Sequence, residues 1–292
     1  MSHAPVPIHV RVHLTHALLQ HVAERSGIRV LHVKGPAVDA ALLTPDGHGT
    51  PVPRTSTDAD VMVEPARAQE FVDQVVAAGG RQLNSFRTGS PFEHAATVWF
   101  ERLGHADIHR FFPGIGLDAA EAFDLMWVNR QRAEIAHQPV FVPDLRMQRM
   151  VLLLHSARSG QQVTPDRRRA WDDADEAERS ALRALAVELR AEVAFAAAIG
   201  ELDQYRDAPE YALWDQFSRN PGHSRLDEWR ARIAAARTPW ERLSLVWRSV
   251  QVNTDRLSMD LGHEATPREV RQAWFRRVRR AWTEATRGGG RP

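Results

Sequence analysis

Apolar positions follow two regimes along the chain. Up to about residue 143, short β-branched runs alternate with helical spacing, and from Asp144 onward only helical spacing remains. Residues 8–26 carry Val12, Leu14, Leu18, Leu19 and Val22 at helical intervals and stop at Gly27, which predicts a first helix. Residues 28–33 are a β-branched run and predict the first strand. Gly35-Pro36 follows directly, with Pro36 suited to the first turn of a helix carrying Val38, Ala41 and Leu42. Residues 44–53 have the Pro/Gly-rich composition of a surface loop, and residues 57–63 alternate as a second strand. Pro65 opens a helix with Phe71, Val72, Val75 and Val76 as its buried stripe and Gly79-Gly80 as its stop. Residues 96–102 and 106–112 read as a hairpin turning at Leu103-Gly104-His105. Asp118 and Glu121 form a capping box before a helix through Phe123, Met126 and Trp127, and residues 139–143 read as a short strand or extended connector.

Beyond Asp144, residues 146–157 carry Met147, Met150, Val151, Leu153 and Leu154 on one face and close at Gly160. Residues 164–200 read as one long helical segment, and residues 240–252 and 269–286 as further helices opened by the capping boxes Thr238-Pro-Trp-Glu241 and Thr266-Pro-Arg-Glu269. No repeat of fixed period is visible. The expected fold class is α+β: a small mixed sheet with helices over residues 1–143, then an α-helical bundle over 144–292 with a disordered tail at 288–292.

Composition narrows the function without naming it. The 292-residue chain is 43% apolar and 26% charged with a formal net charge of +1, so nothing drives it as a whole onto nucleic acid or membrane. It has no cysteine, which excludes disulfides, thiolate metal sites and a cysteine nucleophile. No apolar run approaches the ~18 residues of a membrane span, and no cationic start precedes an apolar core, so a cytoplasmic location without membrane partners is expected. One local exception is residues 266–292, where eight arginines face only Glu269 and Glu284. There Trp274, Phe275, Val278 and Trp282 are expected to dock on the bundle and leave the arginines solvated, with contact to an RNA backbone as the alternative.

Candidate chemistry gathers between residues 31 and 63. Lys34 is the only lysine among 38 cationic Lys and Arg residues, and a compact ammonium suits a point contact with phosphate. Asp58 and Asp60 fall on one face of a strand, where they repel each other unless a cation neutralises them. Mg²⁺ is the natural neutraliser, since it takes oxygen ligands and keeps positions open for phosphates. A solvated edge strand is the alternative. His9, His13 and His16 share a helical face that reads as a metal site or as solvated polar positions. Arg54 is placed to meet a phosphate or to brace Asp58, and His94 is a weaker candidate. Further on, His105, Asp107 and His109 alternate onto one strand face.

Lys34-Gly35, then Arg54, then Asp58-x-Asp60 on an apolar strand resembles the uncharacterised nucleotidyltransferase family of the polymerase-β-like superfamily. The resemblance implies a glycine turn that opens a helix, an acidic pair holding metal and nucleoside triphosphate (NTP), and a third acid on a neighbouring strand. Asp107 matches that acid, Asp107-Ile108-His109 matches the family's Asp-x-His, and His155-Ser156-Ala157-Arg158 resembles the end of a later helix without an assigned chemistry. Gly35-Pro36 departs from the usual Gly-Ser or Gly-Gly, and a Pro/Gly-rich insert lengthens the approach to Asp58.

The implied catalytic and metal set is Asp58, Asp60 and Asp107, with Lys34, Gly35, Arg54 and Ser56 on the nucleotide phosphates and His109 orienting Asp107 or meeting the acceptor. Asp107 is also expected to take the acceptor's proton and to hold a second cation, about 3.5–4 Å from the first. The implied reaction moves a nucleoside monophosphate from an NTP to a hydroxyl-type acceptor with Mg²⁺ or Mn²⁺, releasing pyrophosphate. Balanced charge favours a small-molecule acceptor over RNA. The alternatives are a nucleotide-binding protein without transfer activity and a tRNA-directed, toxin-like transferase. Acceptor, preferred nucleotide and oligomeric state stay open.

Overall fold

The structure, a computed structural model, describes residues 6–88, 92–160, 164–219, 225–236, 238–249 and 265–287, together with positions 252, 254 and 257. The expected tail at 288–292 lies outside the described residues. Helix α1 (Ile8–Ser26) ends where Gly27 turns left-handed and returns its N–H to the carbonyls of Ala23 and Glu24. Strand β1 (Val30–Val33), β2 (Asp58–Val63), α2 (Ala68–Ala77), β3 (Arg81–Asn84), β4 (Ala95–Phe100) and β5 (Gly104–His109) follow. Next come α3 (Ala119–Val128) and a hairpin of β6 (Gln131–Ile135) with β7 (Gln138–Val142).

Among the described residues the elements that follow are helical: α4 (Leu145–Arg158), α5 (Pro165–Arg167) running into a π-helical turn (Arg168–Asp172), α6 (Glu176–Glu188), α7 (Glu192–Ile199), α8 (Tyr211–Arg219), α9 (Arg225–Ala235), α10 (Pro239–Ser249) and α11 (Pro267–Arg287). Side-chain caps start several of these: Asp144 accepts the Met147 N–H, Asp118 those of Ala120 and Glu121, and Asp175 that of Glu178. The expected box at α11 forms, with Thr266 and Glu269 bonding reciprocally.

The sheet order is β1-β2-β5-β4-β3, and only the β2/β5 pair is parallel. One face carries Ala59, Val61, Val63, Ala96, Val98, Ala106 and Ile108, which pack with Leu19, Phe71, Val72 and Val75 of α1 and α2. Each large side chain buried this way contributes about 1.5–3 kcal/mol. The other face turns Leu31, Val33 and Met62 into a second cluster with Phe112, Phe123, Met150, Leu153, Leu154 and Phe195. This second cluster draws on residues from both sides of position 143. The fold is α+β, as expected.

Several local expectations are corrected. Residues 36–42 do not form an α-helix: two 3₁₀ turns, Gly35–Ala37 and Ala40–Leu42, are separated by an extended Val38, and Asp39 caps the second. The segment 164–200 is not one helix; it breaks around the π turn and again at Arg190, which adopts a left-handed φ of 52° before α7. Val76, counted in the buried stripe of α2, is 38% exposed, and Leu14, one of the apolar positions at helical spacing in α1, is 43% exposed. On α11, Trp274 and Phe275, expected to be covered by the bundle, are 37% and 60% exposed and pack edge to face at 5.1 Å. Strands β3 and β6 are additional to the expected set.

Candidate active site

Parallel pairing of β2 with β5 sets Asp58 opposite His105, Asp60 opposite Asp107 and Met62 opposite His109. Because side chains on a strand repeat with period two, the expected acids come from two separate strands onto one face. Val33 pairs with Asp60 across the antiparallel β1/β2 ladder, so Lys34 leaves the end of β1 next to that carboxylate. Its Nζ lies 2.6 Å from Asp60 Oδ1, with both side chains buried. Lys34 holds a left-handed φ of 59° and Gly35 one of 51°. A Cβ on Gly35 would stand 3.2 Å from Ser56 Cβ and 3.9 Å from His16 Nε2, so the turn has little room for any other residue.

His109 Nε2 also reaches Asp60 Oδ1, at 2.7 Å. Burial alone would raise the Asp60 carboxyl, but the Lys34 ammonium and the His109 hydrogen bond outweigh it and hold the group far below the usual carboxylate range. Asp107 moves the opposite way. Burial and the charge of Asp60 raise it, despite the opposing field of His109 and a 2.8 Å hydrogen bond donated by Thr97 Oγ1 from β4. Asp60, Asp107 and His109 each offer one ligand atom, and these atoms lie within 4.8 Å of one another.

Asp58 is not part of that cluster. Its carboxylate Oδ1 accepts from Ser56 Oγ at 3.0 Å, so the hydroxyl expected on phosphate is directed to Asp58. Arg54 does not brace Asp58 either. Its fork closes on Asp166 in the α5 turn, Nη2 to Oδ2 at 2.8 Å and Nε to Oδ1 at 3.0 Å, tying the 44–53 loop to the helical half. That contact borders a cleft of about 520 Å³ lined by Thr44, Thr55, Arg54, His155, Ser156 and Asp166 among others.

The three α1 histidines do not form a metal face. His9 is exposed and its carbonyl accepts from His13 Nδ1 at 2.7 Å, while His16 is fully buried. Gln20 donates Nε2 to Glu24, so its Oε1 faces His32 Nε2 at 3.1 Å and must accept from it. His32 Nδ1 is then an acceptor and takes the Nδ1–H of His16 at 2.8 Å. The chain ends at His16 Nε2, a buried lone pair without a partner beneath the glycine turn. Burial pushes His16 down to about 4 and His32 well below the usual imidazole range.

Residues from outside the motif complete the surroundings. His94 stacks beside His109 at a ring distance of 5.1 Å, and Arg158 Nη1, at the end of α4, lies 2.7 Å from His94 Nε2. An arginine has only donors, so that nitrogen accepts and His94 is neutral. Burial, His109 and the cations Arg158 and Lys34 hold it far below the ordinary range. His155, also on α4, is pushed down to about 3 by burial and by Lys34 and Arg158. Thr97 carried no sequence signal at all, and Arg158 and His155 were visible only as part of a helix ending.

No known family profile matches the sequence, and no curated protein matches it. Solved structures do. The antibiotic-resistance factor ANT(2'')-Ia in solution is 18% identical with a TM-score of 0.36, over 69% of this chain and 94% of that one. The lincosamide antibiotic adenylyltransferase LnuA with lincomycin bound is 16% identical, TM-score 0.33, over 59% of this chain and 94% of its own. An antigenic nucleotidyltransferase-like protein from Paracoccidioides brasiliensis is 14% identical, TM-score 0.36, over 74% and 96%. These overall similarities are low, and the chemistry of this site rests on its own side chains.

Proposed function

We propose that the protein is a metal-dependent nucleotidyltransferase that moves a nucleoside monophosphate from an NTP to a hydroxyl of a small acceptor and releases pyrophosphate. The observation that carries this reading is the register pairing of Asp60 with Asp107, with the sole lysine at the end of the neighbouring strand. The donor set fits a hard divalent cation. Two carboxylates and an imidazole converge, His109 Nδ1 is buried without a partner, and the fields around Asp107 already disfavour a second bare charge. Asp60 and Asp107 would hold Mg²⁺ or Mn²⁺, with Asp58 or His109 completing the set; the ion would supply Lewis-acid stabilisation of the phosphate charge.

The remaining work falls to the chain itself. Lys34 would exchange its contact with Asp60 for a β- or γ-phosphate oxygen, and the amides after Gly35 would add hydrogen bonds to the same phosphates. Asp107, raised by burial, suits a proton acceptor for the attacking hydroxyl, and Thr97 fixes its orientation. As the acceptor oxygen bonds the α-phosphorus, the bridging α–β P–O bond breaks and its electron pair leaves with pyrophosphate. The cleft by Arg54 and Asp166 is within the ~300–1,000 Å³ of small-molecule sites, and its Thr and Ser hydroxyls suit a polar acceptor. In this reading residues 144–292 act as the acceptor-side wall.

Pyrophosphate release from each NTP, with Mg²⁺ or Mn²⁺ and a pool of small acceptors, tests the proposal. Asp60→Asn and Lys34→Ala should each lower release by about 10²–10³-fold. Nucleotide binding without release from any acceptor pool would favour the non-catalytic reading, and absence of nucleotide binding in folded protein would remove both. One observation favours an RNA-directed variant: on α11 the exposed Trp274 and Phe275 stand among exposed Arg271, Arg276 and Arg279. That variant requires salt-sensitive tRNA binding that disappears when residues 266–292 are removed.

A further inference from the structure

Arg54 was the arginine expected on phosphate, and its planar fork is already occupied by Asp166 through three contacts of 2.8–3.1 Å. Arg158 is in the opposite condition. It is half-buried at the end of α4, and its partners are two histidine nitrogens, His94 Nε2 at 2.7 Å and His155 Nδ1 at 3.5 Å. Among the described residues it makes no ion pair within 4.0 Å. A half-buried guanidinium that rests on imidazoles has no carboxylate in contact with it, a costly arrangement unless an anion meets it.

Burial disfavours the cation, and the opposing charges that favour it are those of Asp60 and Asp107. The two histidines that hold Arg158 also feel Lys34, so both cations border the same acidic cluster. One comes from the sheet and the other from the helical half. Arginine has only donors, so His94 Nε2 and His155 Nδ1 accept from it and neither ring meets an anion as a second cation.

We propose that Arg158 is the guanidinium that binds the polyphosphate at this site, receiving the terminal phosphates of the NTP and the pyrophosphate that departs, while His94 and His155 hold it in position. The inference builds on the nucleotidyltransferase reading, but binding of an inorganic polyphosphate tests it separately. Arginine matches the geometry of two phosphate oxygens at once, which a lysine cannot.

The experiment is calorimetric titration of the full chain with inorganic pyrophosphate in the absence of metal, on wild type, Arg158→Ala, Arg158→Lys and Arg146→Ala. Thermal melting would show that each variant is folded. Arg158→Ala should weaken binding by roughly tenfold or more, the usual scale for one charge-assisted contact. Arg158→Lys should fall between it and wild type, and Arg146→Ala, an exposed arginine of α4 paired with Glu178, should bind as wild type does. Unchanged affinity in folded Arg158→Ala or Arg158→Lys overturns the assignment, as does a wild type that binds no pyrophosphate. If no NTP yields pyrophosphate with any acceptor, yet the titration follows the expected order, the transfer reading falls and the Arg158 site stands. Conversely, transfer by Arg158→Ala with unchanged KM and kcat overturns the Arg158 site and leaves the transferase.

Discussion

Asp60 and Asp107 are partners in the β2/β5 register, yet their surroundings shift their carboxyls in opposite directions. Asp60 is depressed, so it contributes stability above the unfolded value of about 3.9 and loses it as pH falls through the folded value. Asp107 is raised, so its contribution is present in acid and is lost as pH rises through its folded value; at neutral pH its charge is a cost. Asp107→Asn should therefore stabilise the metal-free protein at neutral pH, on the order of 1 kcal/mol by urea unfolding. The same variant should lower pyrophosphate release by about 10²-fold or more, as loss of a general base does. A destabilised Asp107→Asn would show that the hydrogen bond from Thr97 matters more than the surrounding charge.

Lys34→Met leaves a buried carboxylate facing only His109 and should cost about 3–5 kcal/mol, whereas Lys34→Met with Asp60→Asn should cost much less. Equal losses in the single and double variants would mean that the pair is not energetically coupled. Same-face placement of Asp58 and Asp60 was readable from period-two alternation. Membership of Thr97 and Arg158 was not, because neither lies in a local pattern that marks it.

Among the elements, the approach between sheet and bundle depends on Gly114. It has a φ of 102°, and a Cβ there would lie 2.9 Å from Ala194 Cβ and 3.1 Å from Leu154 Cδ2. Gly114→Ala should cost about 2–4 kcal/mol, combining backbone strain with overpacking, and a urea midpoint unchanged from wild type would contradict this. The expected helix after Gly35 fails for a local reason: the Asp39 side chain accepts the Ala41 N–H and starts a separate turn, which competes with helix propagation from Pro36. Strands β3 and β6 lack apolar alternation, and their pairing is imposed by β4 and β7. The β6–β7 turn places Ala136 and His137 at φ of 52° and 62°, without the Asn-Gly or Asp-Gly signal that marks such hairpins.

Across the molecule, the buried His16, His32 and His94 and the half-buried His155 are held neutral by loss of solvation. Unfolded, each would take a proton below about 6.5. The unfolded state thus binds more protons than the folded one below that pH, so stability should be full above about 6.5 and decline as pH falls toward about 4 and below, the value to which His16 is pushed. Urea midpoints across this range should decrease steadily, and the slope should be shallower in a folded His16→Gln variant. A flat profile between neutrality and the carboxylate range would contradict the buried-neutral assignment.

Local information was enough to locate the strand carrying Asp58 and Asp60, the adjoining Lys34-Gly35 turn, the hairpin bearing Asp107 and His109, and the change to helices after residue 143. Those features depend on side-chain period, turn chemistry and capping, which act within a few residues. Which strand lies beside which is a long-range matter of burial and ladder pairing. Only the β2/β5 register brings Asp107 beside Asp60, only helix packing carries Arg158 to His94, and only the fold closes Arg54 onto Asp166. The acids and Lys34 were legible because a strand and the turn beside it display them locally; Arg158 was not, because residues far apart in sequence meet only when the core that separates them from water has formed.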